Sequence, residues 1–399
     1  MVFVKLALIF LMIILLLTLK RPLWQALLGG LAATALFYRI PPLQMARLAG
    51  NVVTVWSSLQ VLLSLYLITF LQRILEARSQ IRLAQEDLNG LFHNRRVNVI
   101  GACLFIGLLP SAASMLLCAE LVRNATDGYL EPKEQALVSS WFRHIPESCL
   151  PTYTSVLLML SLSGVETGKF IAGMIVPVFI LGALGYFTYL RRIPTAVDTP
   201  KSTNRWADLG HLLGHLWSLI LILVLILGFR FQVVTAVLVS IVLCFFIYRV
   251  TMEEFKTFAC SAFEKKMLGN TFLVLVLKEF LVFTGVLSQL PEALAKLPLP
   301  AYLIFGLLFF LATVISGSAA AIAMGTPLAF AAIPGGVPLM IYLICMSHAA
   351  SQLSPTHICL VVASDYFHIT LGELVRKTLP LSAAFCVLIT IYYQVLTLI

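Results

Sequence analysis

Long apolar runs follow one another along this chain, separated by short charged stretches, and each run has the length a helix needs to cross a bilayer. About 20 residues cover roughly 30 Å of hydrocarbon, and by that measure the chain holds about ten crossings and two ambiguous segments. Of its 399 residues 60% are hydrophobic and 11% charged. A soluble chain of this size needs far more polar residues to cover its surface. The formal net charge of +9 would point to nucleic acid in a soluble protein. Here the basic residues sit in loops beside apolar runs, where they set topology. No nucleic-acid partner is expected, and the bilayer is the first partner.

The N-terminal run Leu6–Leu19 follows Lys5 and is not followed by a small-residue cleavage site. It reads as a retained span rather than a signal peptide. Further spans are expected at 23–40 and 52–75. Segment 76–96 carries Ile81, Leu83, Leu88, Leu91 and Phe92 at helical spacing among charges. That pattern predicts an amphipathic helix on the membrane surface. The apolar run 97–122 is cut at Leu109-Pro110-Ser111, and a polar loop, 123–134, follows. The next run, 136–163, is cut at Pro146 and Pro151, and a span at 169–190 closes the first half. After a polar linker, 191–207, the order repeats. Spans at 208–229, 231–248 and 270–289 enclose an amphipathic connector at 250–268. Then come 299–331, interrupted at Ser316-Gly317-Ser318, 336–364, interrupted at Pro355, and a span at 380–398.

A constant offset of 204 carries Ser114, His144, Pro151, Thr152 and Gly168 onto Ser318, His348, Pro355, Thr356 and Gly372. Matches of His and Pro at one offset mark two copies of one unit, 1–190 and 208–399. Lysine and arginine cluster in 76–96, 191–207 and 249–269, which places all three on the cytoplasmic side. They share that side only if 97–122 enters and leaves on one face, as a re-entrant hairpin tipped near Pro110. By the same parity 299–331 is a hairpin tipped near Gly317. Each unit then has five crossings and one hairpin. The odd number turns the second copy upside down, giving an all-α integral membrane fold of inverted repeats.

Broken backbone inside a membrane survives only where protein buries it or water reaches it. The expected substrate-binding residues therefore lie at the tips and breaks: Ser111, Ser114, Ser316, Gly317, Ser318, Thr356 and His357. Half-helix starts favour anions and half-helix ends favour cations. The residues expected to bind or couple a cation are Pro110, Pro151, Thr152, Ser354, Pro355, His144 and Glu147. Arg143, His144 and Glu147 are ionisable residues at depth, each of which needs a reason to be there. His144 and Glu147 have a spacing that suits a metal, but two ligands are too few, and no metal site is expected. The eight cysteines form no CxxC pair and read as small core residues. No phosphate-binding loop is present, so ATP is not the expected energy source.

The runs Trp141–Tyr153 (WFRHIPESCLPTY) and Ser347–Phe367 (SHAASQLSPTHICLVVASDYF) resemble an uncharacterised prokaryotic membrane family, domain-of-unknown-function family 401. The tip Leu109-Pro110-Ser111-Ala112-Ala113 fits its first hairpin, and the resemblance covers most of the chain. That family is similar to the ion transporter superfamily, which includes gluconate permeases, citrate–metal symporters and divalent anion–sodium symporters. The resemblance implies a homodimer whose transport domain, built of hairpins and broken helices, moves against a scaffold as an elevator. The divalent anion symporters carry Ser-Asn-Thr at both tips, whereas this chain has Pro-Ser-Ala and Ser-Gly-Ser. The functional expectation is a secondary transporter of a small organic anion in the inner cell membrane, coupled to Na⁺ or H⁺, without a cofactor. A proton-coupled antiporter or exporter is the alternative, and a membrane-embedded enzyme or assembly factor a more distant one.

Overall fold

A computed structural model describes residues 5, 8–9, 11–13, 15–16, 19, 21–80, 83–84, 87, 94–108, 112–196, 205–285, 298–355 and 357–398. Among the described residues there are helices and turns and no strand. In lipid an apolar run satisfies its own backbone only as a helix. About half of the expected N-terminal span and of the amphipathic segment 76–96, together with Pro110, Ser111 and Thr356, lies outside the described residues.

The first half begins with α1 (Leu23–Tyr38), α2 (Pro42–Thr54) and α3 (Trp56–Ala77). A helical pair follows, α4 (Arg95–Ile106) and α5 (Ala112–Thr126). The start of α4 is set by Asn94, whose side chain accepts from the backbone N–H groups of Arg96 and Val97, the usual work of an asparagine cap. Then come α6 (Pro132–Cys149), α7 (Thr154–Ser163), α8 (Thr167–Gly173) and α9 (Ile175–Thr188). The second half holds α10 (Arg205–Leu227), α11 (Val233–Ile247), α12 (Met252–Ala262) and α13 (Lys265–Phe283). It ends with α14 (Ala301–Ser316), α15 (Ser318–Ala332), α16 (Gly336–Ser351), α17 (Ile358–Tyr366) and α18 (Leu371–Leu398). Three helix starts in the first half, Pro132, Thr154 and Thr167, each have a counterpart 204 residues on, at Gly336, Ile358 and Leu371.

Several boundaries differ from the sequence reading. Residues 42–54 form a helix, initiated by a proline at its first position, where the missing N–H costs nothing. The loop expected at 123–134 shrinks, because α5 runs to Thr126 and α6 starts at Pro132. Pro146 does not break its helix, which continues to Cys149. A proline ring frees one carbonyl of the preceding turn, and here the helix carries on beyond it. Four described helices are long and apolar enough to span a bilayer: Trp56–Ala77, Thr167–Thr188, Trp206–Leu227 and Leu371–Leu398. The spans expected at 23–40 and 231–248 are helices of 16 and 15 residues. At about 1.5 Å per residue these fall short of roughly 30 Å.

The helices sort into two sets by what they touch. In one, α13 packs on α1, α2 and α3, while α11 and α12 pack on α3. In the other, α4 lies on α5 and α6, and α14 lies on α15 and α16. The breaks interlock this second set across the chain: α5 packs on α17, and α15 packs on α7. Glu134 at the start of α6 ties the halves through Lys377 at 3.4 Å and also holds Arg192 of the linker at 2.8 Å.

The first set is clasped at one end by ion pairs. Arg78 donates to both carboxylate oxygens of Glu254, at 2.8 and 3.1 Å, and Arg73 reaches Glu264 at 3.1 Å. Glu254 also accepts from the Thr251 backbone N–H, 2.9 Å, at the start of α12. The Arg78 guanidinium, followed by that backbone bond, holds the Glu254 carboxyl down from the ordinary 4.5 to about 2. A depressed carboxyl stabilises the fold above its unfolded pKa and loses that contribution as pH falls through its folded one. The melting-temperature difference between wild type and Glu254→Gln is therefore expected to be constant above pH 4.5. It should close between 4.5 and about 2, and thermal melts in detergent across that range check it.

Candidate functional site

The first break is local chemistry. Leu150 precedes Pro151 and is extended, φ −85° and ψ 131°, because a following proline disfavours the helical conformation. The chain turns through Thr152 and Tyr153 and resumes as α7 at Thr154. Tyr153 donates its hydroxyl to the Gly107 carbonyl at the end of α4. Gly107 lies so close to α6 that a Cβ there would overlap the Arg143 carbonyl oxygen.

The second break has the same parts in a different order. α14 ends at Ser316 and α15 starts at Ser318, with only Gly317 between them. Gly317 has φ 84° and ψ 160°, a conformation essentially confined to glycine. Below it α16 ends at Ser351, and α17 starts at Ile358. Ser354 donates to the Val314 carbonyl, 2.8 Å, and Thr313 and Ser347 share a hydrogen bond of 2.8 Å. These bonds fasten the tip to the break. Replacing Gly317 by alanine is expected to lower stability by about 1–3 kcal/mol through backbone strain alone, since no atom lies within 4 Å of the added Cβ. Thermal melts check this, with Gly182→Ala, helical and equally uncrowded, as the control whose melting temperature holds or rises.

Where the breaks meet there is a cavity of about 380 Å³. Arg143, Glu147, Thr152, Tyr153 and Thr154 line it from the first half. Ser318, Ala319, His357 and Cys359 line it from the second, and Leu65, Ile68, Thr69 and Gln72 of α3 close one side. The structure thus brings Glu147, Thr152, Ser318 and His357 of the expected residues to one space. Ser114 stands behind it, accepting from Arg143 Nε at 3.1 Å and from a terminal guanidinium nitrogen at 2.8 Å. His144 is wholly buried, its ring centroid 4.6 Å from that of His357. Pro151 is buried and Pro355 exposed; neither lines the cavity, and each marks a break. The Ser316 hydroxyl is buried without a hydrogen-bond partner.

Arg143 and Cys359 are cavity residues that the sequence reading left out of the site. Arg143 is visible in the sequence only as a charge at depth. Its side chain is 2% exposed and a wall of the cavity. Cys359 carried no signal, because its neighbours come from both halves of the chain. Gln352 was missed as well: it is fully buried, and neither amide atom has a hydrogen-bond partner.

A larger groove of about 480 Å³, bounded by α4, α6 and α9, is lined by side chains such as Ile100, Leu104, Ile145 and Val178. It offers a polar cargo nothing to bind.

Residues 3–396 match the model of a family described as a protein of unknown function, DUF401. No curated protein matches the chain in sequence. Among solved structures the chain is similar to the crystal structure of the Alcanivorax borkumensis YdaH transporter, which was noted for an unusual topology. The TM-score is 0.61 at 14% identity, over 89% of each chain. At that identity the likeness is one of fold. With its apolar helices it makes this a helical membrane protein of transporter-like fold.

Proposed function

The chain belongs to the DUF401 family, and from that premise and the cavity between the two helix breaks we propose that it is a secondary active transporter of a small organic anion. The cargo is a carboxylate or sugar acid, coupled to Na⁺ or H⁺, and no cofactor takes part. The observation that carries this reading is the buried Arg143 guanidinium at the wall of a polar cavity built from interrupted helices. A guanidinium in a low-dielectric pocket binds a carboxylate in two-pronged fashion. α15 starts at Ser318 on the opposite wall, so its first N–H groups have no acceptor within the helix and favour negative charge. Ser318 and Thr152 add hydroxyls. Ser114 holds the guanidinium in place. His357 faces the cavity and, when its Nε2 holds no metal ion, is the group that takes up a coupling proton or touches the cargo. Ser316, Ser354 and the carbonyls freed at Pro151 and Pro355 complete the cargo and cation sites, to which the sequence adds Pro110, Ser111 and Thr356.

The motion is an elevator. The set containing α4–α9 and α14–α18 is the transport domain, and the set around α3 and α13 is the scaffold. A second cavity, of about 250 Å³, is lined by Ser57, Gln60 and Ser64 of α3, further along the helix that also walls the first. Two polar spaces along one scaffold helix suit a cargo site that slides past it. The shared spacing of helix starts and the crossed contacts of α5 with α17 and α15 with α7 support two inverted copies, 1–190 and 208–399, joined by a cytoplasmic linker at 191–207. The protein is multi-pass in the inner cell membrane, a homodimer of the ion transporter superfamily, and not an enzyme.

A thermal-shift screen of carboxylates and sugar acids, each in Na⁺ or K⁺ and at two pH values, tests the reading. A ligand at a hundred times its Kd adds about 2.7 kcal/mol to stability, a clear shift. At least one anion is expected to stabilise wild type and not Arg143→Lys. Stabilisation by none of them would count against an anion cargo.

The close approach of His144 to His357, with the Glu147 carboxylate 3.8 Å from His144 Nε2, favours a second reading. In it the protein exchanges a cation for protons. Transport driven by a pH gradient without any organic anion would select that reading.

A further inference from the structure

His144, His357 and Cys359 come from the two broken helices, and their candidate ligand atoms all lie within 4.8 Å of one another. A tetrahedral zinc ion with bonds of about 2.0–2.3 Å sets its ligand atoms roughly 3.5 Å apart. Small side-chain rotations close that difference. The two imidazoles are already oriented for the task. His144 Nδ1 lies 2.5 Å from the Ser140 carbonyl oxygen, and His357 Nδ1 lies 3.1 Å from that of Ser351. A carbonyl only accepts, so both Nδ1 atoms carry the proton, and in the neutral rings both Nε2 atoms present a lone pair. Metal-binding histidines are commonly fixed in this way by a backbone carbonyl.

A second, independent observation points the same way. His144 is fully buried, and its Nε2 has no hydrogen-bond partner. An unsatisfied buried acceptor is costly, and an ion would satisfy it. Glu147, one turn along α6, lies outside this trio but holds its carboxylate 3.8 Å from that atom, within reach as a fourth ligand. His357, Cys359 and Glu147 all line the cavity, which gives an ion a way in.

We propose that His144, His357 and Cys359, with Glu147 as fourth ligand, form a binding site for a divalent transition-metal ion of the zinc class. Two imidazoles, a thiolate and a carboxylate suit zinc or cobalt and disfavour calcium and magnesium, which prefer oxygen ligands. On binding, the Cys359 thiol gives its proton to water in the cavity and the sulfur donates to the metal. The thiolate and the Glu147 carboxylate together balance the two positive charges of the ion. The Arg143 charge is then left for an anion in the same cavity.

The test is an optical titration of the purified, chelator-treated, tag-free protein with Co²⁺. A saturable thiolate-to-cobalt charge-transfer band is expected at one ion per chain, and Zn²⁺ should bleach it. Cys359→Ser should abolish the band with unchanged helical circular dichroism, whereas Cys260→Ser, at an exposed position, should keep it. His357→Gln should weaken Co²⁺ binding by roughly tenfold or more. Absence of a saturable band, or a band that survives Cys359→Ser, overturns the proposal. The readout is binding without transport, so its failure and that of the transport reading are separable.

Discussion

Arg143→Lys is expected to purify and melt much like wild type, yet to bind and carry no organic anion at concentrations that saturate wild type. The substitution keeps the positive charge, so the buried site is not left with an uncompensated deficit. What it removes is the planar fork that meets a carboxylate with two parallel bonds. It also removes the paired contact that locks the side chain, in which Ser114 Oγ accepts from two nitrogens of one guanidinium. Losing a desolvated, hydrogen-bonded charge contact costs about 2–5 kcal/mol, or about thirtyfold and upward in affinity. Isothermal calorimetry with the best anion from the screen measures this. A lysine variant that binds within a factor of about three, under 1 kcal/mol, would place the anion elsewhere.

Gly107→Ala carries the other large effect, and it falls on stability. The added methyl would meet the backbone of α6 at Arg143, not the flexible end of a side chain. A backbone carbonyl in mid-helix cannot step aside, so α4 must lift off α6. Overpacking of this kind costs about 1–3 kcal/mol or more, and it strains the Tyr153 bond to the Gly107 carbonyl as well. The expected result is a marked drop in melting temperature together with loss of anion binding, because the same contact aligns Arg143 and the first break. Gly182→Ala, with nothing within 4 Å of its added Cβ, should keep anion binding and hold or raise the melting temperature. A stable, binding-competent Gly107→Ala protein would show that the contact is slack.

The order of apolar runs and the breaks near Pro151, Gly317 and Pro355 were legible because lipid admits so few backbone solutions. Gly317 and the Pro151 turn could be placed to within a residue or two, since glycine and proline act locally. The helix at 42–54 was not legible: its apolar face is narrow, and the proline pair at 41 and 42, one before it and one at its first position, reads as a loop. Pro146 misled for the opposite reason, since a proline permits a break without requiring one. The cavity was partly legible. Thr152, Ser318 and His357 announce themselves by lying in or beside interruptions. The alignment of Arg143 and the company of Cys359 depend on α5 crossing to α17 and α15 crossing to α7. Those contacts join residues far apart in sequence, and no local pattern encodes them.

The most direct measurement is uptake of a labelled carboxylate or sugar acid by liposomes holding the purified protein, with Na⁺ and pH gradients imposed one at a time. Accumulation above the external concentration is expected under one of the two gradients, with collapse when that gradient is dissipated and none in Arg143→Lys vesicles. Folded wild-type protein that accumulates no organic anion under either gradient, or an Arg143→Lys variant that accumulates it equally well, contradicts the account.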